Sequence, residues 1–160
     1  MHILIGPRGV LQIDGARITH KNFSGKQTMY NREGDRNFSL IIDSIEDAEL
    51  LRSLGWNVKI KESAVAGEPP FMTMKVKVKF GGYGPDVYLK SGNAVNLLDE
   101  KTVGVLDKIA IANIDLDIRP YDTEVNGKPI RSAYLNGADV TQSVDRFAER
   151  HAARFGSDEE

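Results

Sequence analysis

From Met74 to Phe80 the chain alternates without a break. Met74, Val76, Val78 and Phe80 fall on one face of an extended strand, and Lys75, Lys77 and Lys79 on the other. The same two-residue period recurs elsewhere. VLQIDGARITHKNF reads as a strand broken at Gly15, and NFSLIID as a second strand. WNVKIKE sets Trp56, Val58 and Ile60 against Asn57, Lys59 and Lys61. PDVYLK follows the glycine loop GGYG, and IAIANIDLDIRPYD is a long strand whose alternation slips between Ile111 and Ile114, which predicts a β-bulge there. Asn126-Gly127 predicts a tight hairpin turn into IRSAYLNGADVTQ.

One segment changes period. SIEDAELLRSLGW carries Ile45, Ala48, Leu50, Leu51 and Leu54 at helical spacing, with Ser44 as N-cap, Asp47 three residues on, and Gly55 just past the end. A short helix is expected near Asp99. SGKQTMYNREGDR reads as a loop or loosely paired hairpin, and ESAVAGEPP as a turn-rich connector. Many strands with one clear helix predict a β-rich domain. A closed or partly open barrel is the economical form, because closure removes exposed strand edges. The expected division is a domain over residues 1–147 and a helical or flexible acidic tail over 148–160.

Composition narrows the function. The chain has 160 residues, 41% hydrophobic and 28% charged, as in an ordinary globular domain. It has no cysteine, so disulfides, thiolate metal sites and a nucleophilic cysteine are excluded. No apolar run approaches the roughly 20 residues that cross a bilayer. The start MHILIGPRG lacks a basic stretch and a cleavage site, so no secretory signal and a cytoplasmic location are expected.

The net charge of −2 conceals segregation. Residues 17–38 carry Arg17, Lys21, Lys26, Arg32 and Arg36 against Glu33 and Asp35, five cations against two carboxylates. Residues 71–90 carry Lys75, Lys77, Lys79 and Lys90 against Asp86, four against one. A nucleic-acid face needs local positive potential, not a basic total.

Enzyme signatures such as GxSxG, HExxH and the P-loop are absent, and His2, His20 and His151 are scattered, so no metal or cofactor is expected. Asp115 and Asp117 share a strand face and keep a magnesium-dependent nuclease open as an alternative; an exposed polar face is the simpler reading. The stronger pattern interleaves cations with rings, as single-strand binders do to track phosphates and stack bases. TMYNREGDRNF sets Tyr30 among Arg32 and Arg36; KVKFGGYGPDVYLK sets Tyr83 and Tyr88 among Lys77, Lys79 and Lys90, with glycines 81, 82 and 84 allowing a mobile loop that displays Tyr83. Phe38, Phe80 and Trp56 sit on apolar faces and read as core.

LDIRPYDTEVNGKPIRSAYLNGADVTQ resembles the closing hairpin of phage-encoded single-stranded DNA-binding proteins of the OB-fold type. The likeness lies in Asn126, Gly127 and Lys128, followed by Ser132, Ala133, Tyr134, Leu135 and Asn136. TMYNREGDRNF, and NFSLIID leading into a helix, are similar in layout, so the resemblance spans most of residues 10–147. It implies an OB-fold-like five-stranded Greek-key barrel with extra hairpins. It also implies sequence-independent binding and protection of single-stranded DNA in phage replication or recombination, without catalysis. The binding residues expected are Tyr30, Arg32, Arg36, Lys59, Lys61, Lys75, Lys77, Lys79, Tyr83, Tyr88, Lys90, Lys128, Arg131 and Tyr134. The resemblance further implies that an acidic end, here Asp158, Glu159 and Glu160, recruits phage or host replication proteins and competes with DNA for the basic groove. A virion-associated or protein-interaction barrel without nucleic-acid affinity is the alternative. No membrane contact is expected, and the oligomeric state stays open.

Overall fold

The computed structural model describes residues 1–82 and 84–143. Ten strands form one mixed sheet: β1 (His2–Ile5), β2 (Leu11–Asp14), β3 (Arg17–Asn22), β4 (Arg36–Ile41), β5 (Lys59–Lys61), β6 (Phe71–Val78), β7 (Asp86–Ser91), β8 (Ala94–Leu98), β9 (Ile111–Val125) and β10 (Lys128–Gln142). The helix α1 (Ile45–Ser53) stands between β4 and β5, and 3-10 turns cover Pro7–Gly9 and Val103–Asp107.

Hydrogen bonding orders the strands β1-β2-β9-β10-β6-β4-β3, with β5 on β6, β7 on β10, and β8 on β7. β10 runs parallel to β6 and β7, and the other pairs are antiparallel. Five strand spacings separate β2 from β3 along this path, about 24 Å if the sheet were flat. Yet β2 ends at Asp14 and β3 starts at Arg17, and three peptide links reach at most about 11 Å. The sheet must therefore curl until its ends nearly meet. β2 and β3 act as one bent strand, and with β4, β6, β10 and β9 they make the partly open five-stranded barrel expected. The bend falls at Gly15, whose φ of +61° is a conformation glycine adopts without strain.

One core fills this barrel. Leu11, Ile13, Phe38, Leu40, Met74, Val76, Ile114, Ile118, Leu135 and Val140 point inward. Phe23 stacks on Phe38 with ring centroids 5.3 Å apart. Trp56 is buried, as its strand pattern implied, and Phe80 is half-buried just past the end of β6. Leu106 and Val103 from the second 3-10 turn seal the cluster. The Lys21 ammonium donates to the carbonyls of Leu106 and Ile109 and holds that turn in place.

The Ser44 side chain accepts from the Asp47 amide and caps α1, while Gly55 follows the C-cap with φ +94°. Only Ala48 and Leu51 of its apolar positions are buried; Ile45, Leu50 and Leu54 remain exposed. A nine-residue helix presents one narrow line to the core, here Ala48 and Leu51. The β9–β10 hairpin turns at Asn126 (φ 52°) and Gly127 (φ 78°), as the dipeptide demands. Its register passes from Asn113–Thr141 to Ile111–Gln142, leaving Ala112 unpaired as the expected bulge. A second slip leaves Asn136 unpaired on β10.

Two strands were not legible in the sequence. β1 lies in the apolar start of the chain, and β8 occupies part of the segment that read as pre-helical. Both are edge strands with solvent on one side, so burial does not impose an alternating pattern on them. The helix expected near Asp99 is a 3-10 turn over Val103–Asp107 instead.

Candidate nucleic-acid interface

The outer face of the barrel divides at the Asn136 bulge. On one side β10 pairs with β6, and on the other with β7. Cross-strand register fixes what each half displays, because directly paired residues share a face.

On the first half, Arg119 of β9, Tyr134 of β10, Lys77 of β6 and Asn37 of β4 lie in one row. The Arg119 guanidinium sits 5.2 Å and the Lys77 ammonium 5.7 Å from the centre of the Tyr134 ring. Tyr121 meets Tyr134 edge-on at 5.7 Å. Contacts of cations with such a half-buried ring contribute about 0.5–1 kcal/mol or somewhat more each, enough to bias side-chain positions; the Lys77 side chain stays exposed, whereas the Arg119 Nε is buried without a hydrogen-bond partner among the described residues. The next row holds Tyr121, Ser132 and Lys75. A groove of about 360 Å³ follows, lined by Arg32, Arg36, Lys75, Lys77, Lys79 and Tyr134. Beyond Lys75 it passes into a second concavity bordered by Lys26, Tyr30 and Lys108. Tyr30 stands almost wholly in solvent, 92% exposed, on the loop between β3 and β4. The arrangement coincides with the surface on which OB-folds bind oligonucleotides: the face of the second and third strands, flanked by the first loop and the closing hairpin.

The residues named from sequence separate into groups. Lys75, Lys77, Lys79, Arg32 and Tyr134 converge on the groove, with Lys59 beside Lys75 at its margin. Tyr30 flanks it. Arg36 lines the groove but is spent on structure: it donates to the Glu100 carbonyl at 3.2 Å and covers the Phe80 ring at 5.9 Å. Arg131 is similarly engaged. It holds the Asp122 carboxylate at 2.8 and 3.1 Å, donates to the Leu54 carbonyl at 2.9 Å and lies over Trp56, tying the hairpin to the end of α1. Hydrogen bonding to Arg131 holds the Asp122 carboxyl below its ordinary range, and the same bond raises the Arg131 guanidinium. Lys61 is exposed at the far end of β5, and Lys128 is six residues from Tyr134, about 20 Å along β10. Tyr83 and the acidic end Asp158, Glu159 and Glu160 lie outside the described residues.

Tyr88 and Lys90 are not brought to the groove. They stand on the second half of the face, where Asp115, Asp139, Tyr88 and Leu97 form one row. Asp14, Asp86, Asp115, Asp117 and Asp139 surround a cavity of about 390 Å³ there. Burial, then the Asp139 and Asp14 charges, push the Asp117 carboxyl up. Asp115 accepts from the Gly15 amide at 2.8 Å and from Asn113. Among the described residues no group of three or more acidic or histidine side chains is arranged to hold a metal ion, and no helix is long and apolar enough to cross a membrane.

Lys26 and Lys108 at the second concavity were not expected there from the sequence, nor were Arg119 and Tyr121, which flank Tyr134 beside the groove. For Arg119 and Tyr121 the signal was present: they continue, at i+2 and i+4, the face that begins at Asp115 and Asp117. Their strand neighbours drew attention to carboxylates instead.

The geometry agrees with what comparison with known proteins returns. The sequence has no match among curated proteins. Its fold is similar to the single-stranded DNA-binding protein from bacteriophage Enc34 in complex with ssDNA, at TM-score 0.56 and 11% identity over 91% of this chain and 93% of that one. A second structure of the single-stranded DNA-binding protein from bacteriophage Enc34 gives TM-score 0.56 at 10% identity over 91% and 87%. Its C-terminal truncation gives 0.54 at 10% over 89% and 91%. The family model described as "Putative phage ssDNA-binding domain" matches residues 5–160, nearly the whole sequence, and the chain belongs to that family.

Proposed function

We propose that this protein binds single-stranded DNA without reading its sequence, in the replication or recombination of a phage genome. The strand lies across β4, β6 and β10. Lys75, Lys77, Lys79, Arg32 and Arg119 neutralise phosphates, and Tyr134, Tyr121 and Tyr30 offer faces to bases. The single observation that carries this reading is the Tyr134 ring, held between two cations on the open face of the barrel. Any base can stack on a ring, whereas reading a sequence needs donors and acceptors aimed at base edges, so this chemistry is indifferent to sequence. Family membership and the solved phage protein with ssDNA support the same ligand. The function requires no catalytic residue and no cofactor. The acidic end Asp158–Glu160 is assigned to replication partners, and residues 1–147 to the DNA-binding domain.

The test is fluorescence anisotropy with a labelled oligo-dT of about 30 nucleotides, longer than the 4–16 covered by one OB-fold. It is run at two salt concentrations with a duplex control. Sub-micromolar binding to the single strand alone, weakening steeply with salt, is expected. Absence of binding at low salt would return the lysines to the role of a solvated face and leave a protein-interaction barrel.

A further inference from the structure

The second half of the outer face has no role in the groove, yet it is not an ordinary solvated surface. Leu97, Val95 and Tyr88 lie together on β8 and β7, at 60%, 58% and 39% exposure. β8 is an edge strand, paired only with β7. Along one side of this apolar strip run Asp139 and Asp115, in register with Tyr88, and one row further Asp86 and Asp117, in register with Gly137. None of the five acids around that cavity joins an ion pair among the described residues. The face thus presents an apolar strip beside a row of uncompensated carboxylates.

A segment of matching chemistry follows in the sequence, directly after the last described residue. Thr141 pairs with Lys90, the neighbour of Val95 on this face, and the Ser143 amide donates to the Ala110 carbonyl, which fixes the position of Ser143. Residues 144–155 read VDRFAERHAARF. Arg146, Arg150 and Arg154 recur every four residues, and so do Phe147, His151 and Phe155, one position later. At helical spacing these are adjacent stripes, one cationic and one largely aromatic, with Asp145 and Glu149 on the opposite side. Four residues of chain beyond Ser143 reach at most about 14 Å, and the strip is two strand spacings, about 10 Å, from β10.

We propose that the face formed by Tyr88, Leu97 and Val95, with Asp115 and Asp139 at its border, is the docking surface for residues 144–155 of the same chain. The arginine stripe meets the carboxylates, and Phe147 and Phe155 cover Leu97 and Tyr88. The short tether favours the chain's own segment over one from a second copy, since it presents the segment at an effective concentration of order millimolar. The docked segment supplies the counter-charges that the aspartates lack and covers the β8 strip. This contact is independent of DNA binding in the groove.

The absence of cysteine makes the test direct. Leu97→Cys combined with Phe147→Cys is oxidised mildly, and an intramolecular disulfide is followed by non-reducing electrophoresis and mass. The control pair is Leu50→Cys with Phe147→Cys, because α1 packs beside Arg131 on the other half of the barrel. The Leu97 pair is expected to close at least several-fold faster than the control, at a rate unchanged on dilution. Closure is expected to slow when Asp115→Asn and Asp139→Asn are added. Melting curves and oligo-dT anisotropy on the reduced proteins show that the fold and the groove are intact. Equal rates for the two pairs, or no effect of removing the carboxylates, would overturn the proposal. Disulfide-linked dimers alone would overturn it in favour of a neighbouring copy. No closure, together with weaker oligo-dT binding on deletion of 144–155, would assign the segment to DNA instead.

Discussion

Replacing Tyr134 by alanine isolates the stacking part of the proposed interface. The ring has cations 5.2 and 5.7 Å from its centre and Tyr121 edge-on at 5.7 Å, and Tyr134 is only half-buried. Truncation therefore removes a platform without opening the core. Loss of one stacked base costs about 1–3 kcal/mol, which is about 5- to 160-fold in Kd. No charge is lost, so the slope of log K against log salt should stay that of the parent. Lys77→Ala should do the reverse and lower the slope by about 0.7, one phosphate on a single strand. Tyr134→Phe keeps the ring and should bind close to the parent. Anisotropy titrations with oligo-dT at several salt concentrations, on variants whose melting curves show them folded, separate these outcomes. If Tyr134→Ala binds like the parent, or Tyr134→Phe loses as much as alanine, the ring is not a stacking platform and the reading of the groove fails.

The triple variant Lys75→Ala, Lys77→Ala, Lys79→Ala should flatten the salt slope by about 2 while leaving thermal stability nearly unchanged, since all three side chains are exposed. Tyr88→Ala should leave oligo-dT affinity unchanged, because Tyr88 stands among carboxylates; a loss would show that the strand crosses the acidic half. Asp117 has a raised pKa in the fold, so its charge opposes folding at neutral pH and the penalty disappears as pH falls below its ordinary value of 3.8. Asp117→Asn should thus raise the melting temperature at pH 7, and the difference should vanish in acid. Phe38→Ala removes a fully buried ring stacked on Phe23 and should cost about 3–5 kcal/mol in urea unfolding.

The alternation from Met74 to Phe80 determined by itself which side of β6 enters the core, because a strand has only two faces and the lysines cannot be buried unpaired. The Ser44 cap, the Asn126-Gly127 turn and the Ala112 bulge were equally local, each set by the backbone geometry of a few residues. Phe38 and Trp56 as core followed from the same period. Which strands become neighbours is a different kind of fact. It depends on contacts between residues far apart in the chain, and no local period encodes them. Lys77 and Tyr134 are 57 positions apart, and only the parallel pairing of β6 with β10 puts the ammonium over the ring. Tyr88 and Lys90 match the sequence pattern of the groove as well as Lys77 does. Tyr88 stands among carboxylates, and Lys90 between Thr141 and Val95, because β10 exchanges β6 for β7 at the Asn136 bulge. Arg36 and Arg131 looked like phosphate ligands until the fold brought Glu100 and Asp122 to them. The sequence determined the faces of the strands and the residues able to hold a nucleic acid; the curl of the sheet decided which of them stand together, since register and strand order set every distance across the outer face.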